Sequence, residues 1–228
     1  MSTDQAVLAL RLEGPMQSWG YDSQFNRRNT GLFPTKSALV GLCCAAMGAA
    51  RGSQEEKDVL ERFMTVKLLC VAVPKKINKR EIVVKRMQDY HTVMGTRDAK
   101  GVIKKDAVLT YRQYLNDSGF WAVFEGDREF LEKVGLSLKN PVWGVWLGRK
   151  ACVPSAPIFA GIYTSKEEAI KNILDGISLE MFTRVEEVDS FGSGIDSYMD
   201  QPVSFELYKR QFAQRRVMLY EAKKSAVD

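Results

Sequence analysis

Tyr90 and His91 are adjacent in a segment that soon supplies Lys104 and Lys105. These residue types suit metal-independent cleavage of RNA. A base takes the proton of the ribose 2′-hydroxyl, and a cation stabilises the charge that develops on the phosphate. The same residues also support a reading without chemistry. His91, the single histidine of the chain, then sits at the root of a loop, bonding to backbone or stacking on a base.

Aromatic residues interleaved with cations point to binding. Trp19, Tyr21 and Phe25 lie beside Arg27 and Arg28. Tyr90 and His91 precede Arg97, and Tyr111 and Tyr114 flank Arg112. Single-stranded RNA is held by stacking on aromatic or guanidinium planes, with cations following its backbone. Charge placement agrees. The chain carries +5 overall. Between Lys75 and Arg112 eleven Lys and Arg face four acids, so that segment is +7 and the remainder −2. A basic stretch in a near-neutral body is the footprint of a phosphate-binding surface.

Other chemistries lack their residues. The four cysteines, Cys43, Cys44, Cys70 and Cys152, show no CxxC spacing. With one histidine they suggest small core side chains kept reduced in cytoplasm, not a zinc site. No GxxxxGK[ST] loop is present, and Gly192-Ser193-Gly194 reads as a turn. No cofactor is implied. No run approaches the ~18 apolar residues of a membrane span, and Met1–Leu12 does not read as a secretory signal.

The elements that must position these groups follow from periodicity. Ala6–Leu12 is a buried strand that enters a long loop, Gly14–Leu32. Thr35 or Ser37 caps a small-residue helix, nearly apolar all round. Its start, with the preceding loop, offers N–H groups to an anion. Gly52–Arg62 is polar surface. Val66–Val73 is a second strand. Glu81–Met87 and Val108–Tyr114 are strands of a protruding finger. Gly119–Phe124 is a core strand, and Asp127 caps a helix that ends at Asn140-Pro141. Val142–Leu147 reads as a strand, with Trp121, Trp143 and Trp146 in the core. Setting the finger aside, the order is βαββαβ, as in α+β ferredoxin-like or RNA-recognition-motif folds. Residues 1–150 then form one domain. Residues 151–228 form a smaller β-rich part packed on it, with Ser165–Glu168 as a capping box. There Ser190–Pro202 is a turn-rich linker, Val203–Tyr208 and Val217–Tyr220 are closing strands, and KRQFAQRR is a second basic cluster.

GPMQSWG, FPTKSALVGL, DYHTVMGTR, YRQYL, LGRKACVPSAPIFAG and KRQFAQRR occur in that order. Together they resemble the CasD-type family, the small backbone subunits at the crRNA 5′ end of type I-E CRISPR Cascade complexes. The resemblance runs from about Leu8 to about Tyr220. It implies a ferredoxin-like domain whose basic β-hairpin thumb, about residues 75–112, pushes against the guide where handle meets spacer. It implies binding of the crRNA 5′ handle, with contacts at Gln17, Trp19, Lys36, Ser37, Tyr90, His91, Arg97 and Arg149. Arg112 joins them from the basic segment. The implied neighbours are the repeated backbone subunit and the large PAM-recognising subunit. One copy is implied per complex, and target DNA is met through the assembly. A related type I-C branch cuts the repeat RNA with Tyr, Lys and His. The motifs here match the type I-E form, which leaves cutting to another enzyme, so no catalysis is implied.

Overall fold

The apolar run at the chain start forms strand β1 (Gln5–Glu13), inside a sheet buried on both faces. The computed structural model describes residues 4–20, 22–24, 26–77, 80–82, 84–98, 100–189 and 195–223. After β1 come two short strands, β2 (Met16–Gln17) and β3 (Arg27–Arg28), then helices α1 (Lys36–Met47) and α2 (Gln54–Met64). Strand β4 (Lys67–Val73) leads to β5 (Lys75–Ile77) and β6 (Arg80–Ile82), which pair with each other. A long antiparallel ribbon follows, β7 (Lys85–Val93) with β8 (Val108–Asn116). Then come β9 (Gly119–Asp127), α3 (Arg128–Lys139), β10 (Phe159–Tyr163) and α4 (Lys166–Ile173). The described chain closes with β11 (Arg184–Glu187), β12 (Ile195–Ser204) and β13 (Gln211–Tyr220).

Seven strands form one antiparallel sheet in the order β10-β1-β9-β4-β11-β13-β12. It takes strands from both sides of residue 150. One face carries Leu8, Leu10, Leu12, Cys70, Phe120 and Phe124 against α1, α2 and α3. The other carries Val7, Ala9, Leu69, Val71 and Val123 against Ala169, Ile173 and Leu174 of and beside α4. Burial on both faces explains why β1 and β4 read as continuous apolar runs rather than alternating ones.

Three readings of the sequence change. Gly52–Arg62 is not simply polar surface. Ser53 Oγ accepts from Glu56 N at 3.2 Å, Glu56 Oε2 accepts from Gly52 N at 2.8 Å, and a helix begins there. Its buried stripe is Val59, Leu60 and Phe63, and the Phe63 ring lies 5.3 Å from Phe124 and 4.9 Å from Phe130.

Val142–Leu147 is not a strand, and the fourth strand beside β1 is β10. Val142 N donates to Ala46 O at 2.9 Å and Trp143 N to Ala45 O at 3.2 Å. The segment spends its N–H groups on the open end of α1, where four carbonyls lack helical partners. Trp143 and Trp146 are therefore exposed by 46% and 37% instead of filling the core.

The expected linker Ser190–Pro202 contains most of β12, which pairs with β13 through irregularities at Tyr198/Gln201 and Pro202/Ser204. Residues 190–194 lie outside the described ones. The expected closing strand Val203–Tyr208 is therefore mostly turn, because β12 ends at Ser204 and residues 205–210 carry the chain round to β13; β13 extends the expected Val217–Tyr220 back to Gln211, and KRQFAQRR divides between the turn and β13.

Candidate nucleic-acid interface

The β7–β8 ribbon is paired from Lys85↔Asn116 at its root to Val93↔Val108. Near the root, β2 pairs with Leu115 and Asn116, and β3 runs parallel to Tyr111 and Arg112. Side chains alternate faces along a strand. Tyr90 and Tyr111 are partners on one face, with ring centroids 5.4 Å apart and planes at 62°. The Arg27 guanidinium stands 5.8 Å from the Tyr111 centroid on β3's side. Tyr90 is 56% exposed, so this face offers an aromatic platform with a cation at its edge. His91 belongs to the opposite face with Asp89, Thr110 and Arg112. Tyr90 and His91 thus point apart, and the pair expected to share a cleavage site is divided by the ribbon. His91 is exposed, and its backbone O accepts from Thr110 Oγ1 at 3.3 Å.

Arg112 is half-buried and its Nε donates to Thr110 Oγ1 at 3.2 Å. Arg97 lies exposed beyond the paired part of the ribbon, bridged to Ile103, with Nη1 donating to Gly101 O at 2.8 Å. Lys100, Lys104 and Lys105 are exposed around it. Tyr21 and Phe25 lie outside the described residues.

Arg149 joins the ribbon to the body. Nη2 donates to Arg28 O at 2.8 Å and Nη1 to Gln113 O at 3.2 Å, while the guanidinium sits 4.7 Å from the Tyr114 centroid. Only glycine serves before it. Gly148 has φ +98°, and a Cβ there would lie 1.8 Å from Ser18 O. That close approach sends Arg149 to the ribbon and Lys150 into a neighbouring cleft.

The cleft, about 600 Å³, lies between α1, the Trp143–Lys150 segment and the β12–β13 turn. Arg51, Lys150 and Arg210 enter it, all exposed, and none is paired with a carboxylate among the described residues. Trp143, Trp146 and Phe212 supply aromatic surface. Thr35 and Ser37 line it at the start of α1, and Ser37 Oγ donates to Thr35 Oγ1 at 3.4 Å. Unpaired cations beside aromatic faces match a chain of phosphates and unstacked bases. A smaller hollow of about 250 Å³ across the sheet differs: its Lys67 and Lys166 are engaged by Asp189 and Glu186.

Three expected contact residues are instead structural. Gln17 is fully buried, and Nε2 donates to Leu12 O at 2.9 Å and Ser118 O at 2.6 Å. Its Oε1 accepts from Trp19 Nε1 at 3.0 Å, and Trp19 is fully buried too. These side chains hold the loop after β1 and have no face left for RNA. Lys36 is buried, with Nζ donating to Val66 O at 2.6 Å and meeting Glu187 at 3.0 Å. Burial lowers the pKa of its amine, and the Glu187 carboxylate opposes that shift. The anion at the start of α1 is internal: Lys36 N donates to Asp200 Oδ2 at 2.8 Å.

Sequence reading missed Arg51, Lys150, Trp143, Trp146 and Arg210 as one site. The run from Trp143 to Lys150, WGVWLGRK, was the available signal, since two tryptophans with glycines and two cations fit a binding loop as well as a strand. Among the described residues, no group of three His, Cys, Asp or Glu side chains is placed to hold a metal ion, and no helix is long and apolar enough to cross a membrane.

A family model described as CRISPR-associated protein (Cas_Cas5) matches residues 7–218. The CRISPR system Cascade subunit CasD of Escherichia coli (strain K12) is 33% identical over 162 residues, covering 69% of this chain and 71% of that protein. Among solved structures, a chain of a CRISPR RNA-guided surveillance complex aligns with TM-score 0.73 at 24% identity, over 95% of this chain and 90% of that one. A crystal structure of a Cas protein aligns with TM-score 0.58 at 26% identity, over 95% of both chains. With the match extending from β1 to β13, the chain belongs to the Cas5 family of CRISPR-associated proteins.

Proposed function

We propose that this protein is the crRNA-binding subunit of a type I-E Cascade complex and holds the 5′ handle of the guide without cutting it. The observation that carries the reading is the joined pair of surfaces. An aromatic and basic ribbon and a cleft whose three cations have no carboxylate partner among the described residues meet at Arg149 and Lys150. The identity to CasD supports the assignment to Cascade.

In this reading the β7–β8 ribbon is the thumb and meets the guide where handle passes into spacer. Handle nucleotides run from Arg27, Arg28 and Arg112 across Lys150 into the cleft, with Ser37 at its wall. Tyr90, His91 and Arg97 meet RNA from the thumb. The order β10-β1-β9-β4, with α1 and α3 in the crossovers, supports a ferredoxin-like core. In that reading residues 1–150 supply three strands of the core, β10 from beyond residue 150 supplies the fourth, and the later strands extend its far edge. One copy sits between the repeated backbone subunit and the large PAM-recognising subunit in the cytoplasm, and target DNA is reached through the assembly.

The competing reading is a metal-independent endoribonuclease, as in type I-C systems. Separation of Tyr90 from His91 across the ribbon weighs against it. The test is incubation of the purified protein with labelled repeat RNA in EDTA. The account predicts bound, intact RNA. A specific cut that disappears in His91→Ala contradicts it.

A further inference from the structure

Four charged side chains, Lys36, Glu187, Asp200 and Arg215, lie close to the cleft without lining it. Asp200 on β12 accepts from Arg215 Nε at 2.5 Å through Oδ1 and from Arg215 Nη2 at 3.0 Å through Oδ2. The same Oδ2 takes the Lys36 backbone N–H at the first turn of α1. Glu187 on β11 holds Lys36 Nζ at 3.0 Å and approaches Arg215 Nη1 at 3.7 Å. Lys36 and Arg215 are almost fully buried, and the four formal charges cancel. Buried charges persist only when paired and hydrogen-bonded, and removing one partner leaves another uncompensated.

The quartet ties together the two elements that form opposite walls of the cleft. α1 supplies Ser37 and Gly41 to one wall, and the β12–β13 turn supplies Phe205, Arg210 and Phe212 to the other. The root of the turn is closely seated. A Cβ at Gly41 would stand 3.8 Å from the Phe205 ring, which packs on Phe212 at 6.4 Å. α1 and α2 both pack against β12. The walls meet at the fork on Asp200, because that one carboxylate accepts from both.

We infer that Lys36, Glu187, Asp200 and Arg215 are positioning residues: a neutral ionic clasp that fixes the β12–β13 turn against the start of α1 and so sets the opening of the RNA cleft. The inference rests on the proposal that the cleft takes guide RNA. It assigns Lys36 a role opposite to phosphate contact, and the two roles separate in salt dependence. A cation that neutralises a phosphate contributes about 0.7 to the slope of log K against log salt for single strands. A clasp residue contributes nothing to that slope.

The test uses the full chain and a 5′-handle oligoribonucleotide, with affinity measured across salt concentrations and fold checked by circular dichroism. Lys36→Met and Asp200→Asn are expected to weaken binding at least ten-fold with the wild-type slope. Lys150→Gln is expected to flatten the slope. Wild-type affinity in folded Lys36→Met and Asp200→Asn overturns the clasp, as does a flattened slope in Lys36→Met. Should Asp200→Asn fail to fold, Glu187→Gln, which keeps the Asp200–Arg215 fork, is judged by the same criteria. Hydrogen exchange gives a readout free of RNA: amides of 205–212 are expected to exchange faster in the folded clasp variant, and unchanged exchange overturns the inference. If the wild-type protein binds no handle RNA while exchange changes as expected, the functional reading fails and the clasp stands.

Discussion

Trp146 and Lys150 lie four residues apart on the lining of one cleft, and in the proposed interface they do different work. A tryptophan face stacks on any base, and an alanine there is expected to cost about 1–3 kcal/mol of RNA binding for each stacked base. Filter binding of Trp146→Ala across salt concentrations should show weaker affinity with an unchanged slope, whereas Lys150→Gln changes the slope. The thiols make a contrasting case. Burial pushes Cys44 and Cys70 up to about 12 and raises Cys43 and Cys152 as well. All four cysteines are free and buried. A thiol-reactive dye should therefore label none quickly in the folded protein and all four after unfolding; fast labelling of the native chain would contradict the packing.

The ribbon and α2 separate binding from stability at the level of elements. Phe63 is the central buried ring of α2, in contact with Phe124 and Phe130. Phe63→Ala is expected to destabilise by about 3–5 kcal/mol, read from the urea midpoint. Tyr111→Ala on the half-exposed ribbon removes the partner of Tyr90 and Arg27. It should reduce RNA affinity with little change in the midpoint. Legibility in the sequence follows the same division. β1, β4, β9, α1 and α3 were readable because their apolar periods and caps act locally: Thr35, Asp127 and Gly48 sit where caps belong. α2 hid because its buried stripe is only Val59, Leu60 and Phe63 inside a charged stretch. Val142–Leu147 misled because its β-like composition is overridden by a tertiary demand, the open carbonyls of α1. β12 hid because its turn-rich sequence is held by pairing with β13 and by the fork between its own Asp200 and Arg215 of β13. The ribbon site was legible as aromatics among cations. The cleft was not, since it is assembled from α1, a loop near residue 146 and a turn near residue 210, which meet only in the fold.

At the scale of the whole molecule, Arg149 bonds to the ribbon while the adjoining Lys150 lines the cleft, and Lys67 and Lys166 across the sheet are engaged by carboxylates. Phosphate-led binding of this kind weakens steeply as salt rises. The measurement closest to the central claim is sequencing of RNA crosslinked to this chain by ultraviolet light within the assembled complex. The account predicts one common repeat-derived 5′ sequence, with crosslinks on the handle mapping to Trp143, Trp146 and the β7–β8 ribbon. RNA without a shared 5′ end, or crosslinks spread along the 3′ half of the guide, would contradict it.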